Sequence, residues 1–197
     1  MKIVIIGAGV VGAFIARNLS KYRLSVLLID KENDVGNVVS NANSAIIHSG
    51  YDPVPGTLKA KFNVLANPMW DEIASDLDIH FYREGSLTVA LYDEQIPMLE
   101  SLALRSKENG VEVKLLNKEE VLKMEPNINP NVKAALFAPT CGIIDPFNAV
   151  VHCMENAVDN GVELFLNNRV ENIQKDGEIY KNIKSYEKIE KRCCVMK

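Results

Sequence analysis

No run of about eighteen consecutive apolar residues occurs in this chain, so no membrane-spanning helix is expected. Positive charge is not in excess either: 22 Lys and Arg stand against 26 Asp and Glu, for a net charge of −4. No basic stripe with interleaved aromatics appears, which argues against a nucleic-acid partner. Cysteine is sparse and poorly placed for chemistry. Cys141, Cys153, Cys193 and Cys194 form no C-x-x-C pair and share no ligand spacing with His48, His80 or His152. Reduced thiols and no metal site are the expectation. The final Cys194-Val195-Met196-Lys197 ends in a residue that prenylation boxes do not favour. The first residues enter a strand directly, leaving no room for a signal peptide, so a cytoplasmic location is expected.

What is present is concentrated at the front. Lys2-Ile3-Val4-Ile5-Ile6 reads as a strand of a parallel sheet, covered on both faces. Gly7, Gly9 and Gly12 follow at G-x-G-x-x-G spacing. The first permits a tight turn, the second lets backbone approach a pyrophosphate, and the third lets the next helix pack on the strand. That helix, Val10 to Tyr22, would aim its N-terminal amides at the phosphates. A second apolar strand, Val26 to Ile29, ends in Asp30, about where a carboxylate meets an adenosine ribose. These residues leave NAD and FAD both open.

Beyond Asp30 the chain is polar and aperiodic from Lys31 to Ser44. A helix is expected from about Thr57, with Leu58, Phe62, Leu65, Met69 and Ile73 spaced to line one face and Pro68 kinking or restarting it, Asn67 serving as a cap. Ile79 to Leu91 reads as strand interrupted at Arg83-Glu84-Gly85, with Arg83 a solvated turn residue in the leading reading and a local contributor to substrate binding in the other. A helix from Asp93 to Asn109, a strand at Val111 to Leu115, a capping box at Asn117 and Glu120, and a strand at Ala134 to Ala138 follow. Asp145-Pro146 caps a helix to Asn160-Gly161, then strands occupy Val162 to Leu166 and Arg169 to Ile173. The expected organisation is 1–75 for the first part of a nucleotide-binding unit, 76–145 for an inserted segment, 146–173 for the return, and 174–197 for a solvated tail. The early strands alone would leave a short sheet with an exposed edge, so the chain reads as the front of a longer protein.

Asn43-Ser44-Ala45-Ile46-Ile47-His48-Ser49-Gly50-Tyr51, followed by Pro55-Gly56-Thr57-Leu58-Lys59-Ala60-Lys61, resembles the FAD-dependent D-amino-acid oxidase superfamily. Glu84-Gly85-Ser86-Leu87, Met124-Glu125-Pro126 and Gly142-Ile143-Ile144-Asp145-Pro146 fall in the order shown by flavin-type glycerol-3-phosphate dehydrogenases and L-2-hydroxyglutarate oxidases. The likeness covers residues 2 to 173. It implies an α/β fold: an incomplete FAD-type Rossmann unit, a doubly wound parallel sheet, with an inserted α+β substrate domain.

The resemblance also implies FAD as cofactor, with its pyrophosphate on Gly7, Ala8, Gly9, Val10, Val11 and Gly12, and Asp30 and Lys31 at the ribose. Ser40, Asn43 and Ser44 would donate along the pyrophosphate and flavin, and the backbone of Val170 would border the adenine. His48 would lie near the flavin, orienting substrate or accepting a hydroxyl proton; a buried histidine bonded to backbone is the competing reading. The chemistry implied is oxidation of a small hydroxyl-bearing phosphate or acid, glycerol 3-phosphate first, with an electron acceptor, a complementary subunit and peripheral membrane contact as possible partners. An L-2-hydroxyglutarate or amino-acid oxidase and a non-catalytic FAD-binding fragment are the alternatives. Val38-Val39 stands where this branch has glycine and Thr, and is expected to crowd the cofactor.

Overall fold

The computed structural model describes residues 2–177 and 179–187. In chain order the first elements are β1 (Lys2–Ile6), α1 (Val10–Ser20), β2 (Ser25–Ile29), β3 (Ile46–Ile47), α2 (Leu58–Ala66), α3 (Met69–Asp76), β4 (Phe81–Tyr82) and β5 (Ser86–Ala90). There follow α4 (Ile96–Glu108), β6 (Lys114–Asn117), α5 (Lys118–Met124), β7 (Ala134–Ala138) and β8 (Gly142–Ile144). The last are α6 (Pro146–Asp159), β9 (Glu163–Phe165), β10 (Asn168–Asp176) and β11 (Ile179–Glu187). The chain divides into two compact units. One runs to Ser44 and resumes at Pro146; the other is Ala45–Asp145.

The first unit is built on a parallel sheet in the order β1-β2-β9, with Ile3 opposite Val26, Ile5 opposite Leu28, and Leu28 opposite Leu164. Val26 and Leu28, in the central strand, are essentially inaccessible. Burying each stabilises the fold by about 1.5–3 kcal/mol. Ala13 and Ala16 on α1 and Ala149, Val150, Cys153 and Ala157 on α6 are buried where the two helices pack together. Small side chains there let the helix axes approach closely. The other face of the sheet borders a cleft of about 800 Å³, lined by Ile3, Ile6, Leu27, Ile29, Phe165, Ile173 and Tyr180.

In the second unit, β5-β7-β6 form an antiparallel sheet whose inner face joins Ala90, Leu136 and Ala138 to Leu99 of α4. Val121 of α5 packs with Val132 and Ala135. A smaller sheet, β3-β8-β4, pairs Ile46 with Ile143 and Phe81 with Ile144.

Several expectations need correction. Residues 45–75 were placed with the nucleotide-binding unit, but contacts put the division after Ser44, because β3 pairs with β8 and Asn67 bonds to Thr140. Leu58, Phe62 and Leu65 on α2 and Met69 at the start of α3 are each more than half exposed, so their helical spacing does not mark core. Val111 to Leu115 gives way to a strand at Lys114–Asn117. The tail expected to be solvated or poorly ordered from 174 contributes to a hairpin instead. β10 and β11 pair antiparallel, Val170 opposite Ser185, turning near Gly177 at φ 61°. Residues 188–197, with Cys193, Cys194 and the Cys194–Lys197 box, lie outside the described residues.

Cys141 and Cys153 are free and buried. Burial pushes the Cys153 thiol up from its ordinary 9.0 to about 11, with the Arg17 charge pulling the other way. A folded value above the unfolded one gives stability that is full below about pH 9 and lost as pH rises through about 11. Over that window the chain should lose on the order of 2 kcal/mol. Urea melts should show the decline in the parent and a flatter profile in Cys153→Ala. Among the described residues, no helix is long and apolar enough to cross a membrane.

Candidate functional site

The candidate site in the first unit starts from the turn between β1 and α1. Gly7 adopts φ 107°, a conformation side chains rarely take, and its N–H donates to the Ile29 carbonyl at 2.8 Å. The turn is thereby pinned to the end of β2. Gly9 is the N-cap of α1 in extended geometry and has no side chain to cap the helix. A Cβ on Gly12 would sit 1.9 Å from the Gly7 carbonyl oxygen, so only glycine lets the helix start this close to the turn. The positive end of the helix dipole faces outward from that turn.

Two distant side chains complete the cradle. Asp30 Oδ2 accepts from the Ala8 N–H at 2.5 Å, and Oδ1 accepts from the Glu32 N–H at 2.8 Å. Both oxygens are therefore held, each keeping a second lone pair for a ligand hydroxyl. Ser40 Oγ accepts from the Val10 N–H at 2.9 Å and lies 3.3 Å from where a Gly9 Cβ would be. The Gly36 N–H donates to the Ala8 carbonyl at 2.8 Å, drawing the 36–40 segment over the turn. The Asn43 amide donates to the Ser40 carbonyl at 2.6 Å.

Of the residues singled out in the sequence, Gly7, Ala8, Gly9, Val10, Gly12, Asp30 and Ser40 are joined by these contacts. Val11 is on the same turn and exposed. Lys31 is exposed and pairs with Glu32 at 3.5 Å; Ser44 is exposed. Val170 lies in β10. Val38 and Val39 are 57% and 74% exposed, at the start of a short 3-10 helix. The glycine cradle fits a dinucleotide pyrophosphate: no Cβ intrudes at Gly7, Gly9 or Gly12, the Val10 amide is held by a Ser40 hydroxyl that can yield, and the positive end of the helix favours an anion.

His48 belongs to the second unit, immediately after β3. Its side chain is exposed, against the competing reading of a buried histidine, and its carbonyl accepts from the Asn67 amide at 3.1 Å. The same Asn67 amide donates to the Thr140 carbonyl at 2.9 Å.

Arg83 is not the solvated turn residue the sequence suggests. Its guanidinium donates to Asn67 Oδ1, the Asn67 carbonyl and the Thr140 carbonyl, and grips both oxygens of Asp71, while lying 5.0 Å from the Phe81 ring centre. Hydrogen bonding and charge from Arg83 hold the Asp71 carboxyl below the ordinary carboxylate range. Nothing local in the sequence marks this network; Asn67 before Pro68 looks only like a helix boundary.

Comparison with known proteins places the site in context. A family model described as FAD dependent oxidoreductase matches residues 2–195, so the family likeness extends beyond the expected end at residue 173. A glycerol 3-phosphate dehydrogenase from Caloramator mitchellensis is 53% identical over 174 residues, which is 88% of this chain and 36% of that protein. A mitochondrial L-2-hydroxyglutarate dehydrogenase from Arabidopsis thaliana is 34% identical over 157 residues, 79% of this chain and 32% of its own. Among solved structures, a dithionite-reduced L-alpha-glycerophosphate oxidase from Mycoplasma pneumoniae with FAD bound superposes with a TM-score of 0.83 at 34% identity, covering 89% of this chain and 47% of that one. The chain belongs to the FAD dependent oxidoreductase family, and it spans about a third to a half of the length of these relatives.

Proposed function

We propose that this chain holds FAD on its first unit and contributes to the oxidation of a secondary alcohol, with sn-glycerol 3-phosphate as the leading substrate. The single observation that carries the cofactor reading is the close Gly7–Gly12 approach, which lets backbone without a Cβ border the start of α1 where a pyrophosphate would lie. Gly7, Ala8, Gly9, Val10, Val11 and Gly12 would present backbone to the phosphates. Asp30, already oriented by Ala8 and Glu32, would accept from ribose hydroxyls, with Lys31 alongside. Ser40, Asn43 and Ser44 would donate along the cofactor, and the Val170 backbone would border the adenine.

Bound there, FAD supplies a two-electron hydride acceptor. His48, exposed and five residues along the chain from Asn43, would accept the hydroxyl proton of the substrate. The glycerol 3-phosphate relatives favour that substrate; the L-2-hydroxyglutarate relative supports a 2-hydroxy acid as the second reading.

The open edge of β1 and the apolar cleft beside it support a further polypeptide, carrying the remaining length of the family fold, as the complement of this unit. The test is anaerobic addition of each substrate to the FAD-loaded chain, alone and with a polypeptide covering the rest of the Caloramator mitchellensis relative. Bleaching of the flavin band by glycerol 3-phosphate is expected, slowed by at least about 100-fold in His48→Gln. No bleaching under either condition would overturn the assignment.

A further inference from the structure

We propose that Asn67, oriented by Arg83, is the positioning residue for His48; the inference rests on the role given to His48 above. The ends of three strands meet here. His48 follows the last residue of β3, Arg83 follows the last residue of β4, and Thr140 stands just ahead of β8, which pairs with both. These short strands supply two register pairs to each neighbour, with backbone bonds from Ile144 to Ala45 and from Asp145 to His80 beyond them, so the ladder itself is short.

Asn67 compensates. It is 6% exposed, and its amide spans the His48 and Thr140 carbonyls at 3.1 and 2.9 Å. One side chain thus ties the exit of β3 to the entry of β8. An Asn amide has two faces, and the wrong one would set its oxygen against two carbonyls. Arg83 decides the matter: it donates to Asn67 Oδ1 at 2.9 Å and to the Asn67 carbonyl at 3.0 Å. Asp71 in turn grips the guanidinium at 2.6 and 3.1 Å, and the Phe81 ring lies beneath it.

The result is a buried, directional anchor on the backbone of a residue whose imidazole is exposed. A scaffold of this kind fixes where the ring is presented without touching the ring. Positioning of a proton acceptor is sensitive to displacements of about 1 Å, which can cost on the order of 100-fold in rate.

The test is proton NMR of the three histidines in the full chain, with Asn67→Ala. A split or at least twofold broadened His48 Cε1–H line is expected, with His80 and His152 unchanged and unfolding still cooperative. Asn67→Asp, which keeps the Arg83 contact but loses both amide donors, should reproduce the effect if the alanine variant does not fold. In FAD-loaded protein, kcat should fall about tenfold with KM little changed. An unchanged His48 line, equal change at all three histidines, or failure of both variants to fold would overturn the positioning role. If His48→Gln turns over normally while Asn67→Ala still disturbs the His48 line, the role of His48 fails and the anchor stands.

Discussion

Replacing Gly12 with alanine is expected to abolish FAD retention and to weaken the fold of the first unit. The new methyl carbon would lie 1.9 Å from the Gly7 carbonyl oxygen and 3.1 Å from the Gly7 carbonyl carbon, both backbone atoms. No rotamer change relieves such a clash; β1 and α1 must separate. Overpacking a well-filled site typically costs 1–3 kcal/mol, and a backbone obstruction belongs at the upper end, about 3 kcal/mol. If the same displacement is felt by the cofactor, affinity falls by about 100-fold or more. Gly9→Ala makes the contrast. Its methyl would meet Ser40 Oγ at 3.3 Å, a hydroxyl that can yield, so the fold should survive while FAD affinity drops. Urea melts and flavin-fluorescence titrations of the two variants separate these effects. A Gly12→Ala protein with unchanged affinity would contradict the cradle.

Removing the Arg83 side chain is expected to destabilise the second unit by about 3 kcal/mol. Arg83→Ala leaves Asn67 Oδ1 inside the protein without its donor and frees the amide to turn the wrong way against His48 and Thr140. Each unsatisfied group costs about 1–3 kcal/mol. Arg83→Lys keeps the charge but cannot reproduce the fork shared among Asp71, Asn67 and Thr140, so it should recover less than half of the loss. The pair also sets an acid limb. The folded carboxyl of Asp71 titrates below its ordinary 3.8, so its contribution is complete above that pH and disappears as pH falls through the lower folded value. Asp71 is 59% exposed, so solvent screening keeps that share small. Asp71→Asn should flatten the acid limb without moving the neutral-pH midpoint as far as Arg83→Ala does.

The front of the fold was legible because its signals are local. A run of Ile and Val, three spaced glycines, an apolar helix face and a second strand ending in Asp30 carry the turn, the helix start and the parallel pairing of β1 with β2. The capping box at Asn117 and Glu120 was readable for the same reason, and both of its hydrogen bonds are present. What was missed depends on residues far apart in sequence. Ser40 reaches Val10 across thirty positions, and Arg83 reaches Thr140 across fifty-seven. Residues 58–69 show the limit of periodicity: Leu58, Phe62 and Leu65 of α2 and Met69 of α3 have the spacing of a buried stripe and are exposed. The hairpin from Asn168 to Glu187 was hidden by its polar content, since a two-stranded ribbon has one solvated face and little apolar alternation to reveal it.

Whether the cradle holds a flavin is tested most directly by adding FAD to the purified chain, desalting it, and reading the visible absorption against protein concentration. About one FAD per chain is expected to remain with the parent protein, as one G-x-G-x-x-G turn serves one pyrophosphate. The Gly12→Ala protein should come through colourless. A parent chain that is folded by circular dichroism yet retains no flavin, or a Gly12→Ala chain that retains as much as the parent, would contradict the assignment of the Gly7–Gly12 turn as the cofactor site.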